Sequence, residues 1–222
     1  MRAFHFLSSQ YALAAIATQR LKVSRFDDLN DPFELYGAEL SDQKHREAFR
    51  RFKEEMAKRF GLLCFSKSWN NPLLWSHYGD RHKGVALEFE IDNDRANEVS
   101  YKPNRLLLDI EKKLSGGGLG VEDVDRILMT KFKQWEYEEE VRVFVELKDP
   151  PEQNGLHFCD LGDGISLVGI VCGPLCQIKE REITNVSPRG TVLRFTAARL
   201  AFNSFSVVTN QAVAQRTIHG VA

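Results

Sequence analysis

The run Trp135-Glu136-Tyr137-Glu138-Glu139-Glu140-Val141-Arg142-Val143-Phe144-Val145 constrains this chain more than any other segment, because a strongly β-forming stretch emerges directly from three consecutive acids. Side chains at i and i+2 of a strand share a face. A strand over 138–147 is therefore expected to present Glu138, Glu140 and Arg142 together and to send Val141, Val143 and Val145 into the core. Like charges side by side on a pleated face repel. Such acids persist where they have chemistry to perform or where a cation neutralises them, so a solvated strand entry with Arg142 as counter-charge is the plainer alternative.

The rest of the pattern predicts an α+β chain of mixed, mostly antiparallel split β-sheets with flanking helices, built as a single domain over 1–222 with no Pro-, Gly- or Ser-rich linker. Strands are expected over 3–7, 21–24, 62–66, 85–91 and 165–172, with a closing hairpin or meander from 191–196 and 202–208. Helices are expected over 10–19 with Ser8 or Ser9 as cap, over 41–60 with Gly61 ending it, and over 72–78 behind Asn70 or Asn71. Two further helices are read over 104–114 and 121–132, separated by a break at Ser115-Gly116-Gly117-Gly118. Turns are read at Asn30-Asp31-Pro32 and at Pro150-Pro151.

Composition narrows the function. Hydrophobic residues at 43% and charged residues at 27% suit a globular core and exclude disorder. A formal charge of −1 gives no general pull toward nucleic acid or anionic lipid, so such contact needs a local patch, and Lys102, Arg105, Lys112 and Lys113 are interrupted by Asp109 and Glu111. No leader and no apolar run of membrane-spanning length is evident, and Cys64, Cys159, Cys172 and Cys176 form no disulfide framework; a cytoplasmic protein without membrane contact is expected.

Three islands accompany the acidic strand: His5 between two phenylalanines, Ser66 and Ser68 at a strand end, and the stretch Trp75 to Gly84 with His77, Tyr78, Asp80, Arg81 and His82. Each has an ordinary explanation as well: a histidine with a backbone partner, a serine that ends its strand, and helix packing of Trp75 against Tyr78 at i, i+3. His77 and His82 flank Asp80, but their separation crosses a helix end with no third ligand beside them, so no metal site is expected. No nucleophile elbow, Walker loop, zinc-protease helix or dinucleotide glycine fingerprint is present.

The order Asn30-Asp31-Pro32-Phe33-Glu34, Cys64-Phe65-Ser66, Leu74-Trp75-Ser76-His77-Tyr78 through Gly84-Val85, then Trp135 with Glu138-x-Glu140-Val141-Arg142 resembles the bacterial domain-of-unknown-function family 2971 over residues 4–175. That family is associated with phage defence and abortive infection. The succession of Phe4-His5-Phe6-Leu7-Ser8, Phe65-Ser66-Lys67-Ser68 and Glu138-Glu139-Glu140-Val141 is similar, more distantly, to the ordered motifs of ADP-ribosyltransferases, with His5 where the arginine-modifying branch has Arg.

This resemblance implies an ADP-ribosyltransferase-like enzyme with NAD as the donor substrate, acting as a defence or toxin effector on a protein or nucleic-acid acceptor, with an antitoxin as a further partner. Glu140 would stabilise an oxocarbenium-like state and Glu138 would position or deprotonate the acceptor. His5 would hold a ribose or the nicotinamide amide, Ser66 would support Glu140, Tyr78 or Trp75 would stack on nicotinamide or adenine, and Ser68 and His77 would belong to the same cofactor site. Arg81, Lys83 or Arg142 would meet pyrophosphate, Arg142 being the better structural partner of the glutamates. A non-catalytic nucleotide or nucleic-acid binding module and an NAD or nucleotide hydrolase are the alternatives. His5, Ser66 and Glu140 are expected to line one cleft.

Overall fold

A computed structural model describes residues 1–26, 28–31, 33–34, 36–108, 121–148, 151, 155–213 and 215–222. Its centre is a nine-stranded sheet, and the strand that begins the chain, β1 (Arg2–Leu7), lies inside it rather than at its rim. β1 pairs antiparallel with β4 (Val85–Ile91) along its whole length, from Arg2 opposite Glu90 to Leu7 opposite Val85. On its other side it meets β3 (Phe60–Ser66) through the pair Phe4–Ser66. β3 then pairs with β8 (Glu140–Glu146) from Phe60 opposite Glu146 to Ser66 opposite Glu140, and β5 (Asn97–Glu98) covers the far side of β8.

Beyond β4 the sheet continues through β10 (Ile165–Cys172) to β11 (Val192–Leu200). β11 runs parallel to β10; it carries β12 (Val207–Thr209) at its end and β13 (Arg216–His219) at its start. Two small sheets complete the strands: β2 (Arg20–Val23) with β9 (His157–Asp160), and β6 (Ser100–Lys102) parallel to β7 (Thr130–Phe132). The architecture is α+β with mostly antiparallel pairing.

Period-2 alternation divides this sheet into two chemically different faces. One face sends Ala3, Phe65, Leu87, Val141 and Val143 into the main core, where helix α1 (Ser9–Thr18) adds Ala12, Ala15 and Ile16 and helix α5 (Glu180–Val186) adds Ile183. The opposite face sends Phe4 and Phe6 against Trp75 of helix α3 (Pro72–His77). Farther along, Leu62 packs with Leu128 of helix α4 (Val121–Leu128) and with Phe26. Helix α2 (Gln43–Arg59) joins this layer through Phe49, which packs with Ala38, Leu40 and Ile127.

Local chemistry explains most element ends. The Asp42 carboxylate accepts from the amides of Lys44 and His45 to start α2, and Asn71 accepts from Leu73 at 2.9 Å, with Pro72 in the first turn of α3. Of the two expected serines Ser8 is the N-cap of α1, though its side chain makes no capping bond, and the Ser9 hydroxyl donates to the Lys83 carbonyl. Gly61 does not end α2. It lies within β3, where a Cβ would stand 2.4 Å from Val23 Cγ1, and the helix has already stopped at Arg59.

Other expectations need correction. The helix expected over 121–132 ends at Leu128, because Thr130–Phe132 leaves it to pair with Ser100–Lys102. The strand expected from 138 starts at Glu140; Glu138 closes a 3-10 turn (Lys133–Glu138), and Glu139, with φ 44°, swings the chain into the sheet. Residues 104–108 are not helical, and Leu106 bridges Ala38; the remainder of that expected helix, the glycine break, Pro32 and Pro150 lie outside the described residues. Phe202 to Ser206 form the loop of the β11–β12 hairpin rather than part of a strand.

Gly84 is where β1, β4 and the loop after α3 press together: a Cβ there would stand 2.2 Å from the Leu7 carbonyl oxygen and 2.9 Å from that of Gly79. Backbone cannot yield as a flexible side chain does. Gly84→Ala is expected to lower unfolding free energy by about 2–3 kcal/mol in urea titrations. An unchanged midpoint would contradict this packing.

Candidate functional site

Glu138 and Glu140 end in a buried ionic cluster. Lys131, carried inward by β7, places its ammonium 2.6 Å from Glu138, 3.0 Å from Glu140 and 3.3 Å from Glu34. Arg142, 1% exposed, donates from Nε to Glu140 Oε1 at 2.9 Å and from a terminal nitrogen to Glu140 Oε2 at 3.1 Å. Its remaining donors reach Glu34 and the Leu128 carbonyl at the end of α4. Three carboxylates face two cations, an excess of one negative charge in a site largely closed to water.

Hydroxyl groups finish the cluster. Tyr78 donates to Glu138 Oε1 at 2.5 Å and accepts from the Asn30 amide at 3.0 Å, while the Tyr101 hydroxyl accepts from the Glu140 N–H at 2.8 Å. Segments distant in sequence therefore converge here: Asn30 and Glu34, Tyr78, Tyr101, Lys131, and Glu138 to Arg142.

The two adjacent acids are not equivalent. Burial pushes the Glu140 carboxyl up, but Arg142 and Lys131 outweigh it and pull it down to about 2. Glu138 moves the opposite way: burial raises it, and Lys131 and Tyr78 offset this only in part. Burial also works against the Lys131 ammonium, yet its three carboxylates hold its pKa well above the ordinary lysine value. Glu140 is thus a fixed anion, and Glu138 is the carboxyl inclined to take a proton.

A series of ring contacts starts at Tyr78, the phenol bonded to Glu138, with the His77 ring 6.0 Å from that of Tyr78. The exposed His77 ring stacks on Tyr137 at 6.3 Å and 29°, Trp135 lies 5.9 Å from Tyr137, and the Lys131 ammonium sits 5.1 Å over the Trp135 ring. The chain then makes a left-handed turn in which Asp80, Arg81 and His82 have φ of 47°, 53° and 70°, a conformation costing roughly 1–2 kcal/mol per non-glycine residue. Gly79 and Gly84 close the turn by a backbone bond of 2.8 Å, and Leu175 donates to the His82 carbonyl at 3.0 Å. Arg81 is exposed on this turn. Backbone strain held in place by surrounding packing is a feature of functional loops.

Several expected roles do not survive the geometry. Phe4 pairs with Ser66 and Ser66 with Glu140, so those three side chains share a face, while His5, opposite Leu87, points to the other. The His5 ring packs on Phe65 at 5.5 Å and donates from Nδ1 to the Cys64 carbonyl at 2.7 Å; burial lowers its pKa and keeps the ring neutral. His5 therefore does not line a cleft with Glu140.

Ser66 sits opposite Glu140, but its hydroxyl donates to the Ser68 carbonyl and accepts the Ser68 amide, and Ser68 in turn accepts from the Asn70 amide. Both serines shape the loop into α3 instead of supporting Glu140. Trp75 is fully buried, packs edge-on to Phe6 at 5.0 Å and donates its indole N–H to the Trp69 carbonyl at 2.6 Å, leaving no face for a ligand ring. Among the described residues no group of three or more His, Cys, Asp or Glu side chains is arranged to hold a metal ion.

Sequence reasoning passed over Lys131, Tyr101 and a structural role for Glu34. Lys131 was concealed by an apparent helix. A signal was nevertheless available, since Glu138 and Glu140 cannot both be buried beside Arg142 alone without a second cation.

No protein-family model matches the chain, and no curated protein and no solved structure matches it either. Among the described residues no helix is long and apolar enough to cross a membrane.

Two outcomes follow from the cluster. Lys131→Met leaves three carboxylates around one arginine and is expected to cost about 3–5 kcal/mol in urea unfolding. The acid limb is set by Glu140, whose folded value of about 2 lies below its ordinary 4.5. Its contribution is complete above pH 4.5 and is lost as pH falls toward 2, about 3 kcal/mol in all. Glu138 has the opposite sign, relieving a cost as it protonates, so the fall belongs to the window below 4.5. Stability that stays flat between pH 4.5 and 2.5 in urea titrations would contradict the assignment.

Proposed function

We propose that the chain is an ADP-ribosyltransferase-like enzyme that uses NAD and binds the nicotinamide–ribose end at the aromatic rim of Glu138. The observation that carries this reading is Glu138 itself: a carboxyl of raised pKa, bonded to Tyr78, from which His77, Tyr137 and Trp135 continue as a series of ring contacts, in a cluster with one excess negative charge. Cleavage of the nicotinamide–ribose bond develops positive charge on the sugar, which the excess negative charge of the desolvated cluster stabilises by a few kcal/mol. Aromatic faces also attract a pyridinium ring.

The roles differ from those the resemblance implies. Glu138 becomes the carboxylate facing ligand and a proton acceptor for the attacking group, since raised basicity suits general-base work. Glu140, bound by Arg142 and Lys131, is a positioning residue that holds the ammonium between the acids. His5, Ser66, Ser68 and Trp75 have no contact with ligand in this reading. The acceptor, protein or nucleic acid, and a place in phage defence belong to the same proposal and rest on the motif resemblance. A second reading, a nucleotide-binding module without turnover, is favoured by one specific observation: both Glu138 oxygens already accept a bond, one from Tyr78 and the other from Lys131.

Incubation with NAD labelled in its adenylate part, in the presence of cell lysate, tests this directly. Nicotinamide release with transfer of label is expected, falling at least about 100-fold in Glu138→Gln. Trp135→Ala is expected to act mainly on KM. Transfer that survives Glu138→Gln contradicts the assignment, release without labelled acceptor marks hydrolysis, and NAD retention without release marks the binding module.

A further inference from the structure

Residues 33, 34 and 36 form a short span that faces two ways. Glu34 turns inward to Lys131 and Arg142, whereas Phe33 turns outward and is 64% exposed. Beside Phe33 and Tyr36 a groove of about 690 Å³ opens against α2, with Leu40, Arg46, Arg50 and Arg105 on its walls.

The charge here departs from that of the whole chain. α2 carries seven Lys or Arg against three Glu, in a protein of formal charge −1. Arg46 and Arg50 stand about one helical turn apart on one face, about 6 Å along the axis. Arg46 donates to the Leu40 and Ser41 carbonyls, which fixes the side chain without neutralising it. Arg50 meets Glu54 only at 3.8 Å with both side chains mostly exposed, a pair that competes weakly with a phosphate. Glu47 is the acid on the groove wall, and it accepts from Gln43 at 3.1 Å.

The aromatic rings are paired with cations. The Arg105 guanidinium lies 5.6 Å from the Phe33 ring centre, and the Lys53 ammonium lies 4.7 Å over Tyr36. Guanidinium beside an open ring is the combination that seats a nucleobase against its phosphate. An acidic peptide would satisfy the arginines but not the exposed ring, and a duplex would hide its bases from it.

We propose that this groove binds single-stranded nucleic acid, with Arg46, Arg50 and Arg105 on the phosphates and Phe33 stacked on a base. The proposal goes beyond the NAD site and does not depend on it.

The test is fluorescence anisotropy of the full chain with labelled ten-nucleotide oligo-uridine and oligo-thymidine, with NAD left out so that the result is independent of turnover. Saturable binding is expected to weaken about twentyfold between roughly 50 and 200 mM salt for about three phosphates. Arg50→Glu with Arg105→Glu is expected to weaken it at least about tenfold and to flatten the salt slope by about 1.4. Phe33→Ala is expected to weaken it about tenfold while leaving the slope in place. Arg50 and Phe33 are exposed, so melting temperatures should hold, and the milder Arg50→Gln with Arg105→Gln carries the same test. Absence of salt-sensitive binding, equal affinity for an acidic peptide or for a duplex of matched charge, or binding indifferent to all of these substitutions overturns the proposal.

Discussion

The contact between two buried cations and three buried carboxylates is the constraint on which this half of the molecule depends. An isolated ammonium or guanidinium at the depth of Lys131 or Arg142 would be several kcal/mol too costly to keep charged, and so would any one of the acids. They are tolerable only together. Because Lys131 comes from β7, Arg142 and Glu140 from β8, Glu138 from the turn between those strands, and Glu34 from between β2 and α2, ion pairing ties four pieces of chain to one another. Arg142 extends the link to the end of α4 through the Leu128 carbonyl.

That arrangement also sorts the two glutamates. Glu140 has the greater share of positive charge and is held ionised; Glu138, one turn earlier, is reached by Lys131 and by a phenol. A series of ring contacts, Tyr78, His77, Tyr137 and Trp135, starts at the phenol bonded to Glu138, and the left-handed turn begins two residues after Tyr78. His5 takes the face of the sheet opposite to that of Phe4, Ser66 and Glu140, because it is the next position along the strand after Phe4.

Much of the fold was legible from periodicity. β4 alternates over Val85–Ile91 and was recognised with those bounds, and Asn71-Pro72 announced α3. The misreadings have specific causes. Lys131 lies in a stretch whose apolar spacing continues that of a helix, and only pairing with Ser100–Lys102 turns it into a strand. Local sequence does not contain that partner. Glu138 and Glu140 were rightly brought together, but on the assumption of one continuous strand; the left-handed Glu139 achieves the same convergence by a turn. His5 was placed by motif order, and motif order carries no information about which face of a strand a residue takes.

The interdependence of the buried charges is most directly measured by a double-mutant cycle in urea unfolding: Glu34→Gln, Arg142→Met, and the two combined. If the cluster holds these segments together as described, each single change costs several kcal/mol and the double costs less than their sum by about 2–3 kcal/mol. Additive costs, with a coupling near zero, would contradict the account.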